Sequence, residues 1–258
     1  MKMGSILIGG LFLFWAGAAR LVAQATEVTS TAPAGGWLWE IDILRVAVDN
    51  RTSARDGKHH RSTTLGSVLL STGLTDRWDV QFGMELWRNE RVSGNGPTQS
   101  DSSQGEAWLR TKWNFAGEEE NGPAWALLPS LKLPVADPAI GNEEFEPGLV
   151  LIFARPINAI IQWHANLGVD LLCDGTGGRH AAIYTSTAVT RICSDKVALY
   201  GEFAGWTDLQ DMRNGSGEVG VGVTYAFHQQ GWMDFALYVG LTRAAPDYTP
   251  VLRSGWQF

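Results

Sequence analysis

Beyond its first 25 residues the chain has no long apolar run. Nothing there approaches the roughly 20 consecutive apolar residues a spanning helix needs, and mean hydropathy is near zero, so a bundle of transmembrane helices is excluded. Cysteine is scarce: Cys173 and Cys193 allow one disulfide at most. Basic residues are outnumbered, 20 Lys and Arg against 27 Asp and Glu. An acidic exported chain is a poor match for nucleic acid. Catalytic motifs are missing too. Gly215-Ser216-Gly217 lacks the surroundings of a nucleophile elbow. His59-His60 falls in a polar loop with no partners for a metal. The expectation is therefore no enzyme, no cofactor and no metal.

What is present begins with an export signal. Lys2 supplies a positive start, Ile6 to Ala19 an apolar run, and Ala23-Gln24-Ala25 an A-x-A cleavage pattern. The reading is a signal peptide over 1–25, removed after Ala25. That removal takes Lys2 and Arg20 and no acid, leaving 18 basic against 27 acidic residues, a net charge of −9. Residues 26–36 are small and aperiodic and read as a flexible leader. Residues 37–258 read as one domain.

Period-two alternation dominates that domain. Trp78, Val80, Phe82, Met84 and Leu86 alternate with Asp79, Gln81, Gly83 and Glu85. Ile161, Trp163, Ala165, Leu167, Val169 and Leu171 oppose Gln162, His164, Asn166, Gly168 and Asp170. A helix repeats at 3.6, so these are strands. The last one, Val251 to Phe258, puts Leu252, Ser254, Trp256 and Phe258 on one face and Val251, Arg253, Gly255 and Gln257 on the other. Left open it would be a bare edge. Pairing it with the first strand closes a barrel. With the apolar face outward, that barrel sits in a membrane.

The predicted fold is therefore all-β: an antiparallel up-and-down transmembrane β-barrel of about 12 strands, each near the length a tilted spanning strand needs. Long and short connections alternate, as expected of loops on one rim and turns on the other. Trp37, Trp78, Trp113, Trp125, Trp206, Trp232 and Trp256 lie near strand ends, where interface girdles form. This geometry puts Cys173 and Cys193 on opposite rims, too far apart to bridge. A soluble β-sandwich is the main competing fold.

Several segments resemble an outer-membrane β-barrel family of transporter-like proteins named for the meta-pathway of phenol degradation. They are Gly240-Leu-Thr-Arg-Ala-Ala-Pro-Asp-Tyr-Thr249, Gly73-Leu-Thr-Asp-Arg-Trp-Asp-Val80, Leu131-Lys-Leu-Pro134 and Trp163-His-Ala-Asn-Leu-Gly168. The Ser-Gly-Trp-Gln-Phe ending departs from the Gly-rich stretch and basic residue expected before the final Phe. The resemblance implies a bacterial outer-membrane location and passage of small molecules, aromatic or hydrophobic ones among them. It also implies membrane lipid as a partner, and the barrel-assembly machinery through the C-terminal strand ending in Phe258.

Parity assigns the lumen. The candidate pathway residues are Glu40, Asp42, Glu85, Glu106, Trp108, Arg110, Lys112, Lys132, Gln162, His164, Asp170, Tyr200, Glu202, Tyr238 and Arg253. Tyr184 and Trp87 also point inward by parity, and Gly83, Gly168, Gly220, Gly222, Gly240 and Gly255 would leave space along the wall. A charged, hydrated path and a closed barrel with a structural or surface-binding role both remain open.

Overall fold

The computed structural model describes residues 25–258 apart from 50–57, 95, 119–121, 138–139, 142–143 and 175–176. The predicted signal peptide, but for Ala25, lies outside the described residues. The strands are β1 (Trp37–Asp49), β2 (Lys58–Thr75), β3 (Trp78–Gly94), β4 (Gln99–Ser103), β5 (Ala107–Ala116), β6 (Ala124–Leu133), β7 (Glu146–Asn158), β8 (Ile161–Cys173), β9 (Arg179–Ile192), β10 (Val197–Asp208), β11 (Ser216–Ala226), β12 (Gly231–Gly240) and β13 (Tyr248–Gln257). A single 3-10 turn, Met212–Asn214, interrupts the connection from β10 to β11.

Every neighbouring pair is antiparallel, and β1 pairs with both β2 and β13. The sheet therefore closes: twelve strands form the barrel and β4 lies outside it. Closure satisfies every ladder and leaves no edge, which is what a backbone in hydrocarbon requires. The last strand pairs as the alternation demands, with Trp39 opposite Trp256 and Asp42 opposite Arg253.

Alternation decides which face meets lipid. Phe82, Leu109, Leu167, Val221, Phe235 and Leu237 are exposed on the outer wall, whereas His164, Asn166, Glu202, Thr224 and Asp234 between such positions are buried inside. A soluble sandwich would bury the first set, so this inversion excludes it. At the short-turn rim Trp78 pairs with Trp113, and the Phe153 ring meets Trp125 at a tilt and Trp163 edge-on. Trp256 closes that girdle with Phe227 and His228. Cys173 and Cys193 are free and end strands at opposite rims.

Four local expectations need correction. The polar stretch Asn89 to Gln104 is not simply a loop. There β3 runs on past the barrel, and β4 folds back on it, pairing Val92 with Gln99 through Arg88 with Ser103. His59 and His60 belong to β2 and pair across to Ser93 and Val92 rather than lying in a loop. Trp87 points outward: Gly66 takes a φ of 69°, the ladder from β2 to β3 is interrupted between Leu65 and Ser67, and Leu86 and Trp87 are both exposed while Arg88 turns in. The register is kept across the break, Leu65 opposite Trp87 and Ser67 opposite Glu85, so both strands lose the alternation together and exchange faces beyond it. Trp232 is not in the girdle. It is buried inward, and its indole covers the bare face of Gly255.

Candidate functional site

The lumen holds the chemistry, and the largest departure from expectation is what fills its turn-side half. Ala25 and residues 26–34 of the segment expected as a flexible leader over 26–36 run up inside the barrel. Gly35, at φ 70°, reverses the chain below β1, and Ala34 makes a one-residue parallel bridge to Gly73. Gly73 has no side chain because the leader's backbone passes there; a Cβ would meet the Pro33 carbonyl oxygen at 2.1 Å.

From that point much of the leader finds partners on the wall. The Thr31 hydroxyl donates to the Asp76 carbonyl at 2.8 Å, and the Ala32 amide donates to Asp79 Oδ2 at 2.9 Å. Gln81 Nε2 donates to the other oxygen of Asp79. Lys112 Nζ donates to the Ser30 carbonyl, and Asn114 Nδ2 to that of Thr29. Glu27 carries the leader's only charge. It lies 2.9 Å from Arg110 Nη1 and 3.3 Å from Lys112 Nζ, while Arg110 also donates twice to Gln81. The Asn166 amide, oriented as its neighbours require, brackets the Glu27 backbone, accepting from its N–H and donating to its carbonyl. Tyr184 and Ser186 hydroxyls donate to the Ala25 carbonyl, and the Ala25 amide donates to Glu202. Val28 packs with Ala188, Tyr200, Ala236, Tyr238 and Val251. A buried irregular segment must satisfy its backbone this way, since each unmet polar group costs about 1–3 kcal/mol.

Gly83 lines the cavity, but Gly220 and Gly222, also expected to leave space, do not. Tyr238 lies flat on Gly220 and Tyr200 on Gly222, so close that a Cβ at either glycine would come within 2.4 and 2.2 Å of the ring. Tyr200 donates to Asp234 and Tyr238 to Glu202. These tyrosines therefore pave the wall rather than constrict the lumen.

Above the leader, toward the long-loop rim, a cavity of about 780 Å³ remains. Residues 25–32 form its floor. Of the sequence-predicted residues, Glu40, Asp42, Glu85, Glu106, Trp108, Arg110, Lys112, Lys132, Asp170 and Arg253 line it. Tyr238 lines a smaller cavity beside Ala25, together with Tyr184, Arg45 and Glu218. Gln162, His164, Tyr200 and Glu202 lie off the open cavity; His164, Tyr200 and Glu202 are buried. Several charges on the wall are paired. Lys132 sits 2.9 Å from Glu106 and 2.5 Å from Glu146, Arg88 lies 2.6 Å from Glu90, and Arg253 lies 2.5 Å from Asp42. No group of three or more metal-ligating side chains occurs among the described residues.

Parity missed four contributors. Arg45 enters the cavity because a bulge between Asp42 and Leu44 shifts β1 against β13, and Arg88 because the alternation of β3 breaks at Leu86 and Trp87. Glu27 could have been noticed as the one charge among small residues, a composition suited to a narrow interior. Glu146 was read as loop but begins β7.

The family model described as "Putative MetA-pathway of phenol degradation" matches residues 23–256. Among solved structures, the COG4313 outer membrane channel from Pseudomonas putida F1 is similar at TM-score 0.69 and 14% identity, covering 89% of this chain and 98% of that one. The NanC porin is similar at TM-score 0.53 and 8% identity, over 85% of this chain and 98% of that one. The CymD monoaromatic hydrocarbon channel is similar at TM-score 0.51 and 9% identity, over 99% and 94%. No curated protein sequence matches this chain.

Proposed function

The chain belongs to the phenol-degradation MetA-pathway family, and from that premise we propose that it is a bacterial outer-membrane channel for small molecules, monoaromatic compounds among them, with its leader as the closing element. One observation carries this reading. The lumen is a hydrated, charge-paired cavity whose floor is a segment bound to the wall mainly by side chains, with a one-residue bridge at its base. A segment woven into the barrel ladder could leave only by unfolding the wall. A segment held by separate side-chain contacts can unseat while the barrel stays closed. Trp108 and Tyr184 offer apolar faces beside the ion pairs, a lining suited to a ring carrying one polar group. The family description and the CymD title support the aromatic part of the reading. Lipid covers the outer wall, and the C-terminal strand ending at Phe258 is the segment the barrel-assembly machinery would engage.

The test is conductance in a planar bilayer. Wild type shows small or rare steps. A variant lacking residues 26–34 shows discrete, larger steps, and phenol in the bath blocks or shifts them. Silence from the inserted deletion variant overturns the transport reading. It would favour the alternative of a closed barrel whose role lies in the extension formed by β2, β3 and β4 beyond the rim.

A further inference from the structure

The upper end of the leader meets the wall at a buried carboxylate. The Ala25 nitrogen lies 3.1 Å from one oxygen of the Glu202 carboxylate and 3.3 Å from the other. As an amide the Ala25 nitrogen shares its one hydrogen between both oxygens in a three-centre bond. An ammonium has three. Glu202 is buried in the wall of β10. A carboxylate so placed needs charge compensation or several donors, and the Tyr238 hydroxyl is one of them.

The sequence puts the processing site at this same point. Ala23-Gln24-Ala25 directs cleavage after Ala25, which turns the Thr26 nitrogen into the chain terminus. That nitrogen lies one residue, about 3.8 Å of chain, from the position that faces Glu202. Cleavage also removes the Ala25 carbonyl, to which Tyr184 and Ser186 both donate. Hydroxyls accept as well as donate. Their oxygens are then free to take hydrogens from the new terminus.

We propose that Glu202, Tyr184 and Ser186 form a binding site for the α-ammonium group of the processed chain, so that removal of the signal completes the seating of the leader. Before cleavage this position carries a neutral amide. After cleavage it carries a positive charge opposite a buried carboxylate. The site goes beyond the channel reading and does not depend on which solute passes.

The experiment uses the mature protein purified from outer membranes in detergent. Intact mass and N-terminal sequencing first identify the terminal residue. Reductive methylation with formaldehyde and cyanoborohydride near pH 7 then reports α-amine reactivity, read by mass spectrometry of the N-terminal peptide. The expected terminus is Thr26. Its α-amine reacts at least tenfold more slowly in the folded protein than in urea, and Glu202→Gln brings the folded rate to within about threefold of the unfolded one. A terminus outside residues 25–27 overturns the proposal, as does a folded wild-type amine that reacts at the unfolded rate. If Glu202→Gln fails to insert, the double variant Tyr184→Phe with Ser186→Ala takes its place. Protection that persists undiminished in the variant overturns the assignment, because burial of the leader alone would then account for it.

Discussion

A single position on the wall is specified by what lies across the sheet from it. Leu109 and Arg110 are adjacent, yet one faces lipid and the other holds Glu27 and Gln81. Replacing Leu109 with Arg should cost about 2–4 kcal/mol where the side chain meets the bilayer interior, seen as a lower urea midpoint for unfolding in lipid vesicles. Unchanged stability would mean that face does not meet lipid. Gly222 is specified as tightly. A Cβ there would come within 2.2 Å of the Tyr200 ring, and that ring is anchored by its bond to Asp234. Gly222→Val should destabilise by about 1–3 kcal/mol through overpacking, read in the same titration. A sequence shows such a glycine as space; only the facing strand shows that the space is taken.

At the scale of elements, the strands were legible because each carries its own evidence. Five alternating residues from Trp78 to Leu86 exclude a helix whatever else the chain does. The break in alternation at Gly66 was not legible in the same way. One glycine among Thr, Leu and Ser residues carries no period, yet it reverses the assignment of Trp87 and brings in Arg88. The strand β4 was hidden in a Ser/Gly/Asn-rich stretch because its partner is an overhang of β3, not the barrel. The leader was illegible for a further reason. It has no regular structure of its own and acquires its path from the lumen wall. Its anchor can be tested directly. Glu27→Gln removes the charge facing Arg110 and Lys112 while keeping size. Discounting for partial exposure, the loss is about 1 kcal/mol, or roughly a fivefold larger unseated population. Open probability in planar bilayers should rise accordingly. An open probability equal to wild type would show that Glu27 does not hold the leader.

For the whole molecule, twelve strands fall between barrels filled by side chains and barrels wide enough for an aqueous channel. The protein uses both solutions, filling one half of its lumen with its own leader and leaving the other half hydrated. The alternation of long and short connections also gives the barrel a direction, with the long loops outside the cell. The two free cysteines report it. Cys173 ends β8 at the long-loop rim, and Cys193 follows β9 at the other. A membrane-impermeant maleimide applied to intact cells should label Cys173 in a Cys193→Ser variant and leave Cys193 unlabelled in a Cys173→Ser variant. The opposite pattern would invert the topology.

The two glycines that join the leader to β1 have a kinetic consequence. A stopper on so short a tether is never diluted. Once displaced, it remains near its seat at an effective concentration of about millimolar, and it returns by a first-order step that does not depend on how much protein the membrane holds. The same peptide cut loose would have to be supplied at about that concentration to do as much. Each barrel therefore closes itself, and its closed time is set by the wall contacts alone.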